Sequence, residues 1–371
     1  MVTWGRKTLL VAAALALVLV GASACTPQPP PVLPDGTSVD VITYAPPGTT
    51  GDPHAVTTSV LHIDADGTTT DLGPADRRAN RLERALSPDG SKLLLGSLDA
   101  GAVFGGGLLH VRVYDVSGAD LSTFDPATSD PSAFTLLRSV DTTVTWAPFG
   151  YDGFLPVWSP DSQELVVGTD PVEAGGTATG TMVHIASVGD PSGASDRTLT
   201  LGVVPVLNTV PSSTYLPVRV TDWSSTGRLS VVATQRQAAT TMIPGASYAV
   251  PSIDRVWTAS ATDGTALRKV ARTGGFDGVE SWFQMVFVNQ GAPPLPVDHM
   301  PAVPIFSPNG THLLLPQGYT DDGMYMTAPV IVADEADAAR APIDVPPLVP
   351  WKILFGPQIP FGFGIWPLTW R

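Results

Sequence analysis

The sequence predicts an all-β fold. Glycine and proline contribute 36 and 37 of the 371 residues, about a fifth of the chain, and they are spread throughout. Turn residues at this density leave no room for long helices and predict many short strands joined by turns. Because no cysteine follows residue 25, we expect the folded part to be held by its core, without disulfides.

A repeated turn-and-strand segment marks these strands. An apolar or aromatic residue precedes a turn, and apolar residues follow it, at residues 86–95, 158–167 and 306–315, with a degenerate copy at 223–232. Proline presets the backbone angle φ at the first central position of the turn. Asp or Asn tolerates the conformation of the next position, and glycine supplies positive φ. The predicted turn residues are Ser87, Pro88, Asp89, Gly90, Ser159, Pro160, Asp161, Ser307, Pro308, Asn309 and Gly310.

A second repeated segment lies at a nearly constant distance from these turns. Residues 111–115, 183–187 and 330–334 each end 27 or 28 residues after a turn serine, whereas residues 256–260 end 36 after theirs. Residues 60–64 resemble the same segment without a clear partner turn. Branched apolar residues followed by Asp66-Gly67 or Asp263-Gly264 predict strands that enter hairpins.

This pair of segments resembles the repeat of TolB-like β-propellers, which are relatives of the WD-repeat architecture. The resemblance covers roughly residues 55–340 and implies a β-propeller of four-stranded blades over residues 39–371. Successive turn serines lie 72, 65 and 83 residues apart, more than the roughly 40–50 residues of one blade. Either the blades carry long loops or unmarked blades lie between them, and we expect six or seven blades.

The N-terminal segment predicts export and lipid attachment. Arg6 and Lys7 precede an apolar run at residues 9–20 and small residues at 21–24, directly before Cys25. This ending resembles the lipobox of bacterial lipoproteins, which implies a signal peptide at 1–24 and diacylglycerol on the Cys25 sulfur. Residues 25–38 then form a proline-rich tether at the extracytoplasmic face of the cell membrane. The alternative is an ordinary secretory signal that leaves a free terminal thiol.

The charge of the chain argues against nucleic acid as a partner. Residues 1–24 hold two basic and no acidic residues, so 18 basic and 34 acidic residues remain, a net charge of -16. Phosphate binding needs clustered Lys and Arg, and an anionic membrane surface would repel such a chain. We therefore expect the membrane contact to be the covalent lipid.

The sequence predicts no catalytic motif, metal site or cofactor. It contains no Gly-x-Ser-x-Gly nucleophile motif. The six histidines are not paired at metal-ligand spacing, and His62, His110 and His184 fall on predicted strands, where a structural role is the default. Asp89 and Asp161 recur once per repeat, so we expect them to accept backbone N–H bonds in their turns.

These observations favour a non-enzymatic binding module whose partner is an unidentified protein or cell-envelope ligand. The resemblance to TolB-like domains implies protein–protein contact in the envelope, by fold analogy alone. Two alternatives are open. One is a propeller enzyme of the lyase, lactonase or cyclase type with its active site in the central channel, and the other is a solute-binding lipoprotein with an aromatic-lined pocket. Residues 341–371, rich in proline and aromatics, serve either as final strands or as a sticky partner surface.

Overall fold

A computed structural model gives the fold. It describes residues 33, 36–45, 57–66, 68–74, 76–98, 107–145, 149–150, 153–154, 157–207, 215–216, 218–236, 252–274, 304–315, 318–319, 325–326, 330–333 and 365–371. The chain divides into residues 1–30 and 31–371, and all of the described residues lie in the second unit. Among them, no helix is long and apolar enough to cross a membrane.

Strands dominate the described residues, which confirms the all-β prediction. The first elements are β1 (Val39–Ala45), β2 (Thr57–Ile63), β3 (Thr69–Gly73), α1 (Arg77–Ala85), β4 (Lys92–Leu98), β5 (Gly107–Asp115), a 3-10 turn (Pro131–Ala133) and β6 (Thr135–Val144). The next are β7 (Phe149–Gly150), β8 (Gly153–Phe154), β9 (Val157–Trp158), β10 (Glu164–Ala174), β11 (Thr177–Ser187) and β12 (Arg197–Leu201). Then follow β13 (Val218–Trp223), β14 (Arg228–Arg236), β15 (Ser252–Ser260) and β16 (Arg268–Gly274). The last are β17 (Ile305–Phe306), β18 (His312–Leu315), β19 (Gly318–Tyr319), β20 (Tyr325–Met326), β21 (Val330–Ala333) and β22 (Ile365–Trp370).

The strands form small antiparallel sheets. Within the described ranges, three sheets have four strands, in the orders β22-β1-β2-β3, β12-β11-β10-β9 and β13-β14-β15-β16. Two have three strands, β4-β5-β6 and β17-β18-β21, and two are the pairs β7-β8 and β19-β20. The predicted strands at 111–115, 183–187 and 256–260 lie within β5, β11 and β15, and both predicted Asp-Gly hairpins connect paired strands.

The C-terminal strand β22 pairs with the N-terminal strand β1. Ser38 and Arg371 exchange two backbone hydrogen bonds of 2.8 and 2.9 Å beyond the ends of these strands. The predicted final strand in residues 341–371 is therefore present at its C-terminal end, while residues 341–364 lie outside the described residues. Leu33, inside the predicted tether, is 2% exposed and packs with Val39, so the packed structure includes this residue.

Buried apolar residues join successive sheets along the chain. Leu94 and Val111 of the β4-β5-β6 sheet cluster with Trp158 and Leu165 of the next sheet. A second cluster joins the β12-β11-β10-β9 and β13-β14-β15-β16 sheets, a third joins the latter to β17 and β18, and a fourth joins β18 to β1 and β22. Four buried clusters thus join five of the sheets in series, from the β4-β5-β6 sheet to the β22-β1-β2-β3 sheet.

The Ser turns have the geometry that their sequences predict. We name them by residue number: first (87–91), second (159–163), third (224–227) and fourth (307–311). In each, the serine carbonyl accepts a backbone N–H at 2.8–3.0 Å from the residue that has positive φ. That residue is glycine in three turns and Ser162, with φ 60°, in the second. Each turn leads directly into a strand whose second residue is a buried leucine: Leu93, Leu165, Leu229 or Leu313.

Candidate functional site

A cavity of about 730 Å³ lies between α1 and the Ser turns, and we name it the α1 cavity. Arg78, Ala79, Leu82 and Glu83 of the helix line one wall. Residues spaced in this way lie on one face of an α-helix, so a single helix face closes this side of the cavity.

Capping and packing hold α1 in place. Asp76 is its N-cap and accepts a hydrogen bond from the Ala79 amide at 3.1 Å. Ala85 is buried in a cluster with Leu93 and Phe124, which fixes the helix against the β4-β5-β6 sheet. A nine-residue helix is marginal by itself, so this packing accounts for its stability.

Two arginines of α1 bind the loop that follows β5. Arg78 donates from Nη1 to the carbonyl oxygens of Leu121 and Phe124 at 3.4 and 3.3 Å. Arg81 donates from Nη2 to Asp125 Oδ2 at 2.8 Å. This loop adds Leu121 and Ser122 to the lining of the α1 cavity.

The opposite wall comes from three leading segments, meaning the residues that precede a Ser turn. Leu86 leads the first turn, Trp158 ends β9 before the second, and Asp222 and Trp223 end β13 before the third. Three different sheets therefore contribute to one cavity. Of the predicted turn residues, Ser87, Pro88 and Gly90 also line it.

The remaining predicted turn residues have a structural role away from the cavity lining. In the second turn, Ser159 Oγ donates to Asp161 Oδ1 at 2.6 Å and accepts from the amide of Glu164 at 2.8 Å. Asp161 Oδ1 also accepts the amide of Gln163 at 3.1 Å.

The first and fourth turns repeat this pattern. Ser87 Oγ donates to Asp89 Oδ1 at 2.6 Å, and Ser307 Oγ donates to Asn309 Oδ1 at 2.7 Å. The hydrogen bond from Ser87 holds the pKa of Asp89 well below its usual range, and Ser159 lowers the pKa of Asp161. The prediction that these carboxylates accept backbone N–H bonds in their turns is confirmed.

Adjacent turns also contact each other. The amide of Asp89 donates to Ser162 Oγ at 3.1 Å, which joins the first turn to the second. Ser225 Oγ donates to the carbonyl of Pro308 at 2.7 Å, which joins the third turn to the fourth. The contact between the first and second turns therefore links two of the three turns whose leading segments line the cavity.

Asp222 is the carboxylate with the most perturbed surroundings in the cavity wall. Its Oδ1 accepts the amide of Trp223 at 2.8 Å, and its Oδ2 accepts the amide of Phe306 at 2.5 Å. Burial raises the pKa of Asp222 to about 6, against the opposing effects of these two N–H donors and of Arg84. The side chain bridges β13 and β17, and it changes charge near neutral pH.

Trp223 provides an aromatic surface that Arg197 holds from outside the cavity. The Arg197 guanidinium lies 5.8 Å from the centre of the Trp223 ring. It also forms a two-bonded ion pair with Glu164, at 2.8 Å for each bond. Because this geometry fixes the guanidinium, it also restricts the position of the indole ring.

An ion-pair chain connects α1 to the sheet that contains both end strands. Arg371 Nη2 lies 2.8 Å from Glu83 Oε1 and 3.6 Å from Asp40 Oδ2. Asp40 Oδ1 lies 2.6 Å from His62 Nδ1, and this bond raises the pKa of His62. This series of ion pairs lies beside the α1 wall of the cavity.

The three strand histidines are each paired with an aspartate. Besides His62, His110 Nδ1 lies 2.8 Å from Asp141 Oδ1, and His184 Nε2 lies 2.6 Å from Asp170 Oδ2. Each of these histidines therefore has a hydrogen-bonding partner within the fold. Within the described ranges, no group of three or more His, Cys, Asp or Glu is arranged to hold a metal ion.

Sequence reasoning missed α1 and Asp222 and did not assign Trp223 to a cavity. A signal for the helix exists, because Asp76 precedes an eleven-residue stretch without glycine or proline. Trp223 was visible as the aromatic residue of the degenerate repeat. Cys25 lies outside the described residues.

Comparison with known proteins gives weak structural similarity. No protein-family model and no curated protein sequence matches this chain. The β-propeller domain of the Trilobed protease from Pyrococcus furiosus is similar at 10% identity and a TM-score of 0.30, over 81% of this chain and 66% of that one. The Pyrococcus horikoshii acylaminoacyl peptidase is similar at 9% identity and a TM-score of 0.30, over 76% and 29%. This chain thus spans less than two thirds of the length of either structure.

Proposed function

We propose that this protein is a lipid-anchored, extracytoplasmic binding protein whose non-enzymatic β-propeller takes a cell-envelope ligand in the α1 cavity. The observation that carries the binding role is the cavity itself. Three leading segments and one helix face converge on it, and its volume of about 730 Å³ suits a small-molecule or short oligomeric ligand.

The order of the sheets supports the propeller architecture. The sheets are antiparallel, buried clusters join five of them in series from β4-β5-β6 to β22-β1-β2-β3, and β22 pairs with β1. An arrangement of this kind protects sheet edges, as propellers do. The blade number of six or seven stays a prediction, since several intervening segments lie outside the described residues.

Binding is favoured over acid–base catalysis because of the state of Asp222. A raised pKa in a cavity is typical of a catalytic acid or base. However, both oxygens of Asp222 already accept backbone amides, at 2.8 and 2.5 Å, in a bridge between two strands. Because both oxygens are already engaged in this bridge, a structural role for Asp222 at the cavity wall accounts better for the geometry.

The binding role is tested by capture of envelope components from intact membranes with the tagged full-length protein, followed by crosslinking. Trp223→Leu removes an aromatic wall of the cavity. Trp257→Leu is the matched control, because Trp257 packs against the same apolar cluster and does not line the cavity. We expect wild type and Trp257→Leu to retain the same component and Trp223→Leu to lose it. Failure of wild type to retain any reproducible component would contradict the proposal.

The lipid anchor is tested separately through Cys25. We expect Cys25→Ala to leave the membrane fraction, because the acidic chain has no electrostatic attraction to anionic lipid. Fractionation of cells and immunoblotting measure this. A Cys25→Ala protein that stays in the membrane fraction at the wild-type level refutes lipid anchoring and leaves the cavity proposal intact.

A further inference from the structure

We infer that the ligand class of the α1 cavity is a neutral oligosaccharide. This inference rests on the proposed binding function and names the chemistry of the ligand. It depends on three properties of the cavity wall: a mixed aromatic and apolar surface, donors and acceptors side by side, and opposed charges that nearly cancel.

The apolar part of the wall suits the C–H face of a sugar ring. Trp223, Leu82 and Leu121 contribute to the lining. Arg197 lies over the Trp223 ring at 5.8 Å but does not line the cavity, so the guanidinium and the ligand meet different parts of the indole. A cation already beside this ring makes the indole a poorer site for a second one, which disfavours a cationic ligand.

The polar part of the wall offers both hydrogen-bond donors and acceptors. The Arg78 side chain is 32% exposed and the Glu83 side chain is 44% exposed, and each keeps hydrogen-bonding capacity beyond its protein partners. Ser122 adds a hydroxyl group, and Asp222 adds carboxylate oxygens that can each accept a further bond. Sugar hydroxyls donate and accept, so they can bond to all four side chains.

The charge balance disfavours strongly ionic ligands. Arg78 and Glu83 place opposite charges on the same helix face of the wall, and Arg84, which does not line the cavity, acts on Asp222 from the same helix. A polyanion would therefore meet Glu83 beside Arg78, and a polycation would meet Arg78 beside Glu83. An entirely apolar ligand would remove water from Glu83 and Arg78 without replacing its hydrogen bonds. A neutral polyhydroxylated ligand avoids both penalties.

The test is binding of the purified full-length protein to an array of neutral glycans, with titration calorimetry on the glycans that bind. Wild type and Trp257→Leu should bind the same glycan with equal affinity. Trp223→Leu should bind it about tenfold more weakly, because stacking on the indole is lost. Glu83→Gln should also weaken binding, since its carboxylate is an acceptor for hydroxyls.

Two probes of other chemistry serve as opposing outcomes. Inositol hexaphosphate and a tetralysine peptide are titrated under the same conditions. The inference is overturned if no neutral glycan binds, if either charged probe binds instead, or if glycan binding is unaffected by Trp223→Leu. If membrane capture depends on Trp223 while no neutral glycan binds, the binding function stands and only the ligand class is wrong. Failure of the wild-type protein to capture any reproducible component contradicts the binding function.

Discussion

Replacement of Ser159 by alanine tests whether the Ser turns hold the sheets in place. Ser159 is 3% exposed, and its hydroxyl makes a 2.6 Å bond to Asp161 Oδ1 and a 2.8 Å bond from the Glu164 amide. Alanine removes both at the point where the second turn enters β10. It also removes a 3.2 Å bond from the Gln163 amide, which keeps Asp161 Oδ1 as an acceptor at 3.1 Å. The serine backbone bonds stay in place, so the variant isolates the hydroxyl.

The expected decrease in the free energy of unfolding follows from loss of the bonds with Asp161 and with the Glu164 amide. Loss of the bond to Asp161 costs about 1 kcal/mol, because water can replace the hydroxyl at that exposed carboxylate. The buried Glu164 amide loses an acceptor that water cannot easily replace, which costs about 1–3 kcal/mol. We therefore expect Ser159→Ala to lower the free energy of unfolding by about 3 kcal/mol.

Urea unfolding at pH 7, followed by tryptophan fluorescence, measures this loss. Ser192→Ala is the control, because Ser192 Oγ also donates to an aspartate, Asp190 Oδ1 at 2.5 Å, but in an exposed turn. The control should unfold almost as wild type does. Equal midpoints for the two variants would refute the role assigned to the turn serines.

The same variant has a defined pH dependence. The bond from Ser159 lowers the pKa of Asp161 in the folded protein. A lowered folded pKa contributes stability above the unfolded value of about 4, and this stability is lost as pH falls through the folded pKa. The difference between wild type and Ser159→Ala should therefore shrink in acid.

Three further predictions concern buried or strained positions. Because the raised pKa of Asp222 makes the folded state hold its proton longer, wild type should lose about 3 kcal/mol of stability as pH rises from about 4 to about 6. Asp222→Asn should abolish this loss. Parallel urea midpoints for the two proteins across this pH range would contradict the prediction. His62→Gln should destabilise the protein more at pH 5.5 than at pH 8.5. The raised pKa of His62 contributes stability below pH about 6.5, and this stability is lost as pH rises through the folded pKa. An equal effect at both pH values in thermal melts would count against this prediction. Gly310→Ala should cost about 3 kcal/mol, because its φ is +70° and a Cβ would lie 2.8 Å from two Thr226 atoms. Gly90→Ala, with the same φ and open space, should cost about 1 kcal/mol, and equal costs would show that the turns do not pack as described.

The Ser turns could be predicted from sequence because their chemistry is local. Serine, Asp or Asn, and glycine form hydrogen bonds within five residues of each other, so the residues of segment 87–91 determine the turn by themselves. The strands after the turns were equally predictable from their apolar runs. The strand positions of His62, His110 and His184 predicted only a structural role by default and did not identify their aspartate partners.

The candidate site could not be predicted in the same way. The raised pKa of Asp222 depends on burial beside Phe306, which is 84 residues away in the sequence. Helix α1 depends on contacts such as Arg81 with Asp125, 44 residues apart. No local sequence pattern indicates these contacts, because the packing of the sheets brings together residues that are far apart in the sequence. The boundary of the tether was uncertain for the same reason, since burial of Leu33 requires the sheet that receives it.

Site-specific photocrosslinking in intact membranes tests the α1 cavity most directly. A benzophenone amino acid replaces Ser122, an exposed residue that lines the cavity, or Ser192, an exposed residue that does not line it. We predict a reproducible adduct with an envelope component from position 122 and none from position 192. Adducts of equal yield from both positions, or none from position 122, would contradict the assignment of the cavity as the binding site.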